Sequence, residues 1–258
     1  MPLTIRSKIL ISLGAVVAIA AIVTPSVVVP LVRNNNDSTI EFTLLYNAGV
    51  MIEAKGMRIY IDPFQLSTDY EDLPADVILV THHHSDHYST STINMIKTDD
   101  TTIVFPEVMS YAIDYFDGVG VNPEDQLEFG EITVTAFYMY TLPVGEYPAS
   151  HPREDNYTSY IIDIDGFTFF HAGDSKNIFE YSQLTITIDV ALLPLGPGCQ
   201  TMCDMEVVTA ANTIGPDYLI PIHYGDGVPE SFSTSYSSYL TSCQFLHLEY
   251  FESTTFEI

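Results

Sequence analysis

The sequence contains no tryptophan, only three cysteines and few basic residues. Its 8 Lys and Arg stand against 34 Asp and Glu, which gives a formal net charge of −26 at pH 7. A field of this sign repels phosphate backbones, so we expect no nucleic-acid partner. We interpret most of the acidity as a solvated surface. At 258 residues the chain is long enough to bury the core of one α/β or sandwich-like domain.

The three cysteines are Cys199, Cys203 and Cys243, an odd number. In an exported domain one disulfide could form and leave one thiol over. Three buried thiols are an equally good interpretation. The sequence therefore leaves the pairing open, with a bridge between Cys199 and Cys203 as one alternative.

Residues 9–32 carry no charged side chain and follow the basic residues Arg6 and Lys8. About 20 apolar residues span a bilayer, so we predict one N-terminal transmembrane helix that serves as a signal anchor. A cleaved signal peptide is the alternative, because prolines make the second half of the run ambiguous. The positive-inside rule keeps the basic end in the cytoplasm. We therefore expect an anchor and linker at 1–37 and an extracytoplasmic domain at 38–258, held at the cell membrane by a single pass or exported after cleavage.

The apolar pattern predicts two blocks, each of which begins with strands and continues as alternating strands and helices. In the first block, a three-stranded meander precedes a strand at Val77–Val80 and a helix near Ser89–Ile96. In the second block, strands at Glu131–Tyr140 and Ser159–Asp163 precede a helix around Asp204–Ile214. The tail QFLHLEYF is predicted as a closing strand. Two such blocks favour two sheets that pack face to face with helices outside.

The stretch VTHHHSDHY carries four histidines and one aspartate directly after a predicted buried strand. Imidazole nitrogens and carboxylate oxygens are ligands that hold Zn²⁺. Residues two apart project to one side of an extended segment, and the donor that follows can turn toward a second position. The candidate ligands of this loop are His82, His84, Asp86 and His87. Four donors in six residues indicate a metal site with two adjacent positions, whereas His83 falls out of phase and points into the protein or solvent.

A two-metal site needs more donors than one loop supplies. Three candidates lie where an apolar run breaks into Gly or Pro, and they are His151, Asp174 and His223. His171, three residues before Asp174, is expected to orient the ligands without binding metal itself. His247 alternates within the predicted tail strand and is interpreted as structural. The donors suit Zn²⁺ first, with Mn²⁺ or Fe as alternatives.

The motif THHHSDHY resembles the Thr-His-x-His-x-Asp-His signature of the metallo-β-lactamase fold superfamily. The motifs IDPF, HAGDS, DVALLPLG and IPIHYGD also occur in that family's order, and the likeness covers roughly residues 40–250. Within the superfamily, the chain looks most like the branch that contains L-ascorbate-6-phosphate lactonase and other metal-dependent hydrolases. The resemblance implies an αββα sandwich of two mixed sheets flanked by helices, in agreement with the two blocks.

The resemblance also implies a role for each ligand. The first metal would be held by His82, His84 and His151, and the second by Asp86, His87 and His223. Asp174 would bridge the two metals. Asp62, in YIDPF, would support the ligand loop from behind, with a strand-end cap as the alternative.

These ligands predict a hydrolase in which two divalent metal ions activate a water molecule. Asp86 is expected to orient that water and accept its proton. The water would attack an ester, lactone or phosphoester bond of a small molecule. A membrane-proximal lipid phosphodiesterase is one alternative, by analogy with N-acyl phosphatidylethanolamine phospholipase D of the same fold. A non-catalytic extracytoplasmic metal-binding protein is the other.

Two cations near the proposed ligands favour an anionic substrate. Arg153 and Lys176 each lie two residues after a proposed ligand. In so acidic a chain, cations at these places indicate that the substrate carries a phosphate or carboxylate. A local salt bridge to Glu154 or Asp155 is the alternative. The aromatic segment 137–148 is expected to form an apolar lip over the metals, where a lipid could also bind.

Overall fold

The computed structural model describes residues 38–143, 145–196 and 201–258. The predicted N-terminal anchor, residues 9–32, lies outside this part of the chain and stays a prediction. Of the helices that the structure does describe, none has the length and apolar character needed to cross a bilayer. Cys199 also lies outside the described residues, while Cys203 and Cys243 carry free thiols.

Two seven-stranded sheets form the described domain, and each sheet is antiparallel at one end and parallel at the other. The first sheet contains β1 (Thr39–Leu44), β2 (Val50–Ala54), β3 (Met57–Ile61), β4 (Val77–Leu79), β5 (Thr102–Pro106), β6 (Val119–Val121) and β14 (Ser253–Glu257). The second contains β7 (Gln126–Phe129), β8 (Ile132–Tyr138), β9 (Thr158–Ile164), β10 (Phe167–His171), β11 (Val190–Pro194), β12 (Tyr218–Ile222) and β13 (Gln244–Phe245). The strand order is β14-β1-β2-β3-β4-β5-β6 in the first sheet and β13-β12-β11-β10-β9-β8-β7 in the second.

The α-helices of the described residues all lie between strands that pair in parallel, because a parallel neighbour can be reached only by a crossover connection. They are α1 (Thr90–Ile96), α2 (Ser110–Phe116), α3 (Asp204–Ile214) and α4 (Val228–Ser235). Short 3-10 turns add to the connections at Thr68–Asp72, Arg153–Asp155, Phe179–Gln183 and Ser237–Tyr239. The predicted meander is confirmed as β1, β2 and β3, and the helix predicted around Asp204–Ile214 is confirmed as α3.

A continuous apolar core separates the two sheets. In β3 the side chains of Ile59 and Ile61 enter this central core, while Tyr60 between them faces the opposite side of the sheet. The rings of Phe42 in β1 and Phe169 in β10 stack across the interface with centroids 5.7 Å apart. Side chains that alternate in this way give each sheet one face for the central core and one face for helices.

Helices cover the outer faces of both sheets. Ile93 and Ile96 of α1 pack on the outer face of the first sheet. Val207 and Ala211 of α3 pack on the outer face of the second. Each helix buries one apolar stripe, which leaves its other side to solvent. The described residues therefore form the αββα sandwich that the sequence predicts.

The predicted tail strand is largely wrong. Only Gln244–Phe245 of QFLHLEYF pairs in a sheet, so His247 lies outside any strand. Beyond it the hydroxyl of Tyr224 donates to the carbonyl of Leu248, and the Tyr250 ring stacks on Tyr224 with centroids 4.7 Å apart. Residues 246–251 form no strand and make these side-chain contacts instead. The closing strand is instead β14, which pairs with β1 through a mostly polar sequence that gives no alternating signal.

We predict that Phe169→Ala destabilises the domain strongly, because it empties a fully buried position between the sheets. The free energy of unfolding, measured by urea titration, is expected to fall by about 3–5 kcal/mol. Phe179→Ala is the matched control, because this ring is 70% exposed and its removal is expected to cost less than about 0.5 kcal/mol. Equal losses in the two variants would contradict the packing described here.

Candidate metal centre

The candidate metal centre lies at one edge of the two sheets, where parallel strands end. Asp62 follows β3, the ligand loop 81–87 follows shortly after β4, and His223 follows β12. Asp174 lies three residues after β10. Parallel strands end at a common edge, and in open α/β sheets the loops at their carboxyl ends carry the ligand-binding groups. Segments that are distant in sequence therefore meet at this edge.

The first group of donors comprises His82, His84, His151 and Asp174, whose ligand atoms all lie within 4.8 Å of one another. Nε2 of His151 is 3.2 Å from Nδ1 of His84. The rings of His82 and His151 meet edge to face, with centroids 4.6 Å apart. All members except His84 are buried. Three imidazoles and one carboxylate at this spacing match the donor set of a four-coordinate zinc site.

The second group comprises Asp86, His87 and His223, whose ligand atoms also lie within 4.8 Å of one another. Oδ2 of Asp86 is 3.3 Å from Nε2 of His223 and 3.8 Å from Nε2 of His87. The two imidazole rings stack with centroids 5.3 Å apart. The Asp86 side chain is 42% exposed, so this group is open to solvent on one side.

Asp174 lies between the two groups and presents one carboxylate oxygen to each. Its Oδ2 is 3.8 Å from Nε2 of His82 in the first group. Its Oδ1 is 3.2 Å from Nε2 of His87 and 3.5 Å from Nε2 of His223 in the second group. A carboxylate in this position can bind two cations at once. The seven side chains predicted as ligands therefore converge, with Asp174 between the two groups.

Several buried atoms of this cluster have no hydrogen-bond partner in the described residues. They are Nε2 of His82, His87 and His223, and Oδ1 of Asp174. Buried polar atoms are almost always paired, so a convergent set of unpaired nitrogen and oxygen atoms indicates a ligand that satisfies them together. Histidine nitrogens and carboxylate oxygens are donors for Zn²⁺, and also for Mn²⁺ or Fe. The residues present thus fit two divalent metal ions.

Asp62 and Thr81 fix the orientation of two ligand histidines from behind. Oδ2 of Asp62 lies 2.8 Å from Nδ1 of His87 and accepts a 2.6 Å bond from the hydroxyl of Thr81. The Thr81 backbone N–H donates to Oδ1 of Asp62. Because the Thr81 hydroxyl donates to Asp62, it accepts from Nδ1 of His82, 3.0 Å away. Both rings therefore carry a proton on Nδ1, and Nε2, which faces the centre, is the nitrogen that can bind a metal once it carries no proton.

His171 ties the turn after β10 to the first sheet. Its Nδ1 accepts from the backbone N–H of Gly173, which leaves Nε2 to donate to the carbonyl of Ala48 at 2.7 Å. Gly173 has a positive φ of 56°, and a Cβ there would lie 2.6 Å from Sδ of Met139. His171 is fully buried. It thus holds the backbone that leads to Asp174 and takes no ligand position in either donor group.

Asn47 is a residue of the site that the sequence analysis missed. Its side-chain amide donates to Oδ2 and to the carbonyl of Asp86, each at 3.3 Å. Its own carbonyl accepts from the backbone N–H of His223 at 2.9 Å. Asn47 therefore joins two ligands of the second group. The sequence signal for this residue was the turn Asn-Ala-Gly, because asparagine tolerates the left-handed conformation. Asn47 adopts that conformation, with φ 63°.

His151 is held by its own segment. Its backbone N–H donates to the hydroxyl of Thr141, and its carbonyl accepts from the backbone N–H of Thr141. The hydroxyl of Ser150 lies 3.2 Å from Nδ1 of His151. These bonds close the loop between β8 and β9 and hold Nε2 of His151 toward His84.

Burial and the two carboxylates control the protons of the cluster. Burial, followed by the neighbouring His87, holds the pKa of His82 well below its usual value. Burial also lowers the pKa of His151 to about 4. In His87 burial acts in the same direction, but the carboxylates of Asp174 and Asp62 outweigh it and raise the pKa well above the usual value. In the metal-free protein a proton therefore resides on His87.

The two cations predicted to bind substrate both form ion pairs. Arg153 donates to Glu180 at 2.6 Å and lies over the rings of two tyrosines, with its side chain 59% exposed. Lys176 is buried, and its amine donates to Glu206 at 2.9 Å. A salt bridge is thus present at both residues, but its partners come from distant segments. The buried amine of Lys176 faces the start of α3. Anion binding by either residue stays a prediction.

We predict that Asp62→Asn weakens metal binding by about 10–100-fold, because an amide nitrogen placed against Nδ1 of His87 or the Thr81 hydroxyl no longer accepts their protons. The measurement is a competition titration with a chelator, using Zn²⁺. Asp99→Asn is the control, since Asp99 is exposed and far along the chain from the cluster. Unchanged affinity in Asp62→Asn would contradict the supporting role.

Comparison with known proteins agrees with this geometry. Residues 41–223 match the family described as β-lactamase superfamily domain. A UPF0173 metal-dependent hydrolase of Pyrococcus furiosus is 31% identical over 208 residues, which cover 74% of this chain and 87% of the relative. A UPF0173 metal-dependent hydrolase of Geobacillus sp. is 31% identical over 196 residues, 68% of this chain and 81% of the relative. These relatives do not single out a lactonase.

A solved structure shows the same fold. Igni18, a metallo hydrolase from Ignicoccus hospitalis, superposes with a TM-score of 0.70 at 22% identity and covers 86% of this chain and 100% of its own. At that identity the likeness concerns the fold alone. With the family match, the sequence relatives and the converging His and Asp side chains, the chain belongs to the β-lactamase superfamily and, within it, to the UPF0173 metal-dependent hydrolases.

Proposed function

We propose that this metal-dependent hydrolase binds two divalent metal ions, with Zn²⁺ favoured, and cleaves an ester, lactone or phosphoester bond of a small molecule. The observation that carries the proposal is the Asp174 carboxylate, which presents one oxygen to each group of donors. When bound, such a pair of ions polarises the scissile bond and lowers the pKa of a water molecule, so that hydroxide is available at neutral pH. His82, His84 and His151 would hold one ion, and Asp86, His87 and His223 the other.

Asp86 is the residue best placed to handle the proton of the attacking water. It is the more exposed of the two carboxylates in the donor groups. Asn47 donates to its Oδ2, which fixes the carboxylate at the open side of the second group. The neighbouring imidazole of His223, whose Nε2 is 3.3 Å from Oδ2, lowers the pKa of Asp86, so the carboxylate is ionised at neutral pH. We assign to Asp86 the orientation of the water and the acceptance of its proton.

A lipid phosphodiesterase is the second candidate function, and exposed apolar side chains beside His151 favour it. The predicted lip at 137–148 is only partly an exposed surface, because Met139 and Tyr140 are buried in the structure. Leu142 and Tyr147 are 52% and 77% exposed on the segment that leads to His151. Together with the predicted N-terminal anchor, these side chains would hold the site close to lipid.

The decisive experiment combines metal analysis with a substrate screen. We expect about two metal ions per chain and hydrolysis of soluble lactone, ester or phosphodiester substrates, abolished by a chelator and restored by Zn²⁺. Asp174→Ala is expected to lose at least one metal ion and to reduce kcat at least about 100-fold, with Asp99→Ala as the control. Turnover of phospholipid vesicles alone would favour the lipid function. Full metal content without turnover of any substrate would favour a non-catalytic metal-binding protein.

We also predict that metal affinity falls as the pH falls. The pKa of His87 is raised in the metal-free protein, so a bound proton must leave before Nε2 can bind a metal. Affinity is therefore expected to rise by about tenfold per pH unit below the pKa of His87 and to level off above it. Chelator competition at several pH values measures the slope. Affinity that does not change across this range would show that no proton is displaced.

A further inference from the structure

His83 occupies an exposed position beside the first group of donors, although it is not a ligand. Its ring lies next to the ring of His84, with centroids 5.1 Å apart. Its Nδ1 is 2.6 Å from the hydroxyl oxygen of Tyr157. The hydrogen bond with the Tyr157 hydroxyl therefore holds His83 at the rim of the metal centre.

Tyr157 belongs to the wall of the first group. Its ring lies edge to face against His82 and against His151, with centroids 5.9 Å away in each case. Tyr157 is 6% exposed, and burial raises the pKa of its hydroxyl, which therefore stays protonated at neutral pH. The Tyr157 ring thus contacts two proposed metal ligands, and its hydroxyl contacts His83.

The contact determines which nitrogen of His83 carries the proton. Among the described residues, the Tyr157 hydroxyl forms its hydrogen bond with His83. Because Nδ1 is engaged by the Tyr157 hydroxyl, Nε2 is the ring nitrogen that carries an N–H toward its surroundings. His83 thus presents an N–H donor on the side of the ring away from Tyr157.

A further hydrogen-bond donor at this rim has a use, because the two cations predicted to bind an anion already form ion pairs. The guanidinium of Arg153 is paired with Glu180, and the amine of Lys176 is paired with Glu206. A substrate that carries an acceptor oxygen near its scissile bond would therefore need another donor. An exposed imidazole N–H can supply this hydrogen bond.

We propose that Nε2–H of His83 donates a hydrogen bond to a carboxylate or phosphate oxygen that the substrate carries next to its scissile bond, and that Tyr157 positions His83 for this contact. The inference rests on the proposed hydrolase function and adds a determinant of substrate specificity to it. It assigns to His83 a role in substrate recognition, separate from the ligand roles of its neighbours His82 and His84.

Binding of inorganic phosphate to the zinc-loaded protein tests the proposal without relying on turnover. By isothermal titration, His83→Ala is expected to bind phosphate about 5–10-fold more weakly than the unchanged protein, the loss of one hydrogen bond. His83→Gln keeps an N–H at the corresponding distance and is expected to recover most of the affinity. Tyr157→Phe keeps the ring and removes the hydroxyl, so an intermediate loss is expected. Ser85→Ala, exposed in the same loop, is the matched control.

Metal content and kinetics separate recognition from a merely structural role. His83→Ala is expected to keep its full zinc content and to raise KM about 5–10-fold for an ester with an adjacent carboxylate, with kcat nearly unchanged. For a matched ester without that group, KM is expected to stay the same. The proposal would be overturned if KM changed equally for both esters or if His83→Ala lost zinc. It would also be overturned if His83→Ala bound phosphate as tightly as the unchanged protein.

The two hypotheses fail in different ways. If the zinc-loaded protein hydrolyses no substrate but phosphate affinity still depends on His83, the proposed hydrolysis fails and the recognition role stands. If hydrolysis proceeds and neither KM nor phosphate affinity depends on His83, the hydrolase function stands and the inference about His83 is wrong.

Discussion

The structure depends on the convergence of buried lone pairs around Asp174. Each unpaired polar atom in a protein interior costs about 1–3 kcal/mol, and several such atoms of the cluster meet in one place. No local sequence preference would stabilise this arrangement. It is held by two sheets whose strand ends are fixed by a core that extends between them. Cations that satisfy these atoms together would recover the cost, so metal binding and the stability of this edge are coupled.

The site spans both sheets, and a few backbone contacts join the halves. The first sheet supplies the ligand loop and Asp62, whereas the second supplies Asp174 and His223. The carbonyls of Asn47 and Ala48, in the turn after β1, accept from the His223 backbone and from the His171 ring. Two further residues of the site, Asp62 and His223, adopt positive φ. Such conformations cost about 1–3 kcal/mol each and persist only where the surroundings impose them.

The sequence predicts the parts of this site that depend on residue type and spacing. Four donors in six residues at a strand end are unusual enough to indicate metal, and the two blocks of strands and helices indicate the layers. Asn47, Thr81 and Tyr157 could not be found in this way. They are common residue types, and their roles come from contacts with residues far along the chain, such as Asn47 with Asp86 and Tyr157 with His83. The same holds for Lys176, whose partner lies on α3.

The strong negative charge of the chain does not prevent binding of an anionic substrate. Two divalent cations contribute four positive charges, whereas Asp86, Asp174 and Asp62 contribute three negative charges and neutral histidines none. The metal-loaded centre would therefore be positive by about one charge, because bound cations are the largest local charges in such a site. At distances beyond about 10 Å, salt screens the acidic surface. Attraction of an anion would thus come from the metal centre itself, and hydrogen-bond donors at its rim, such as the one proposed for His83, would choose among the anions that arrive.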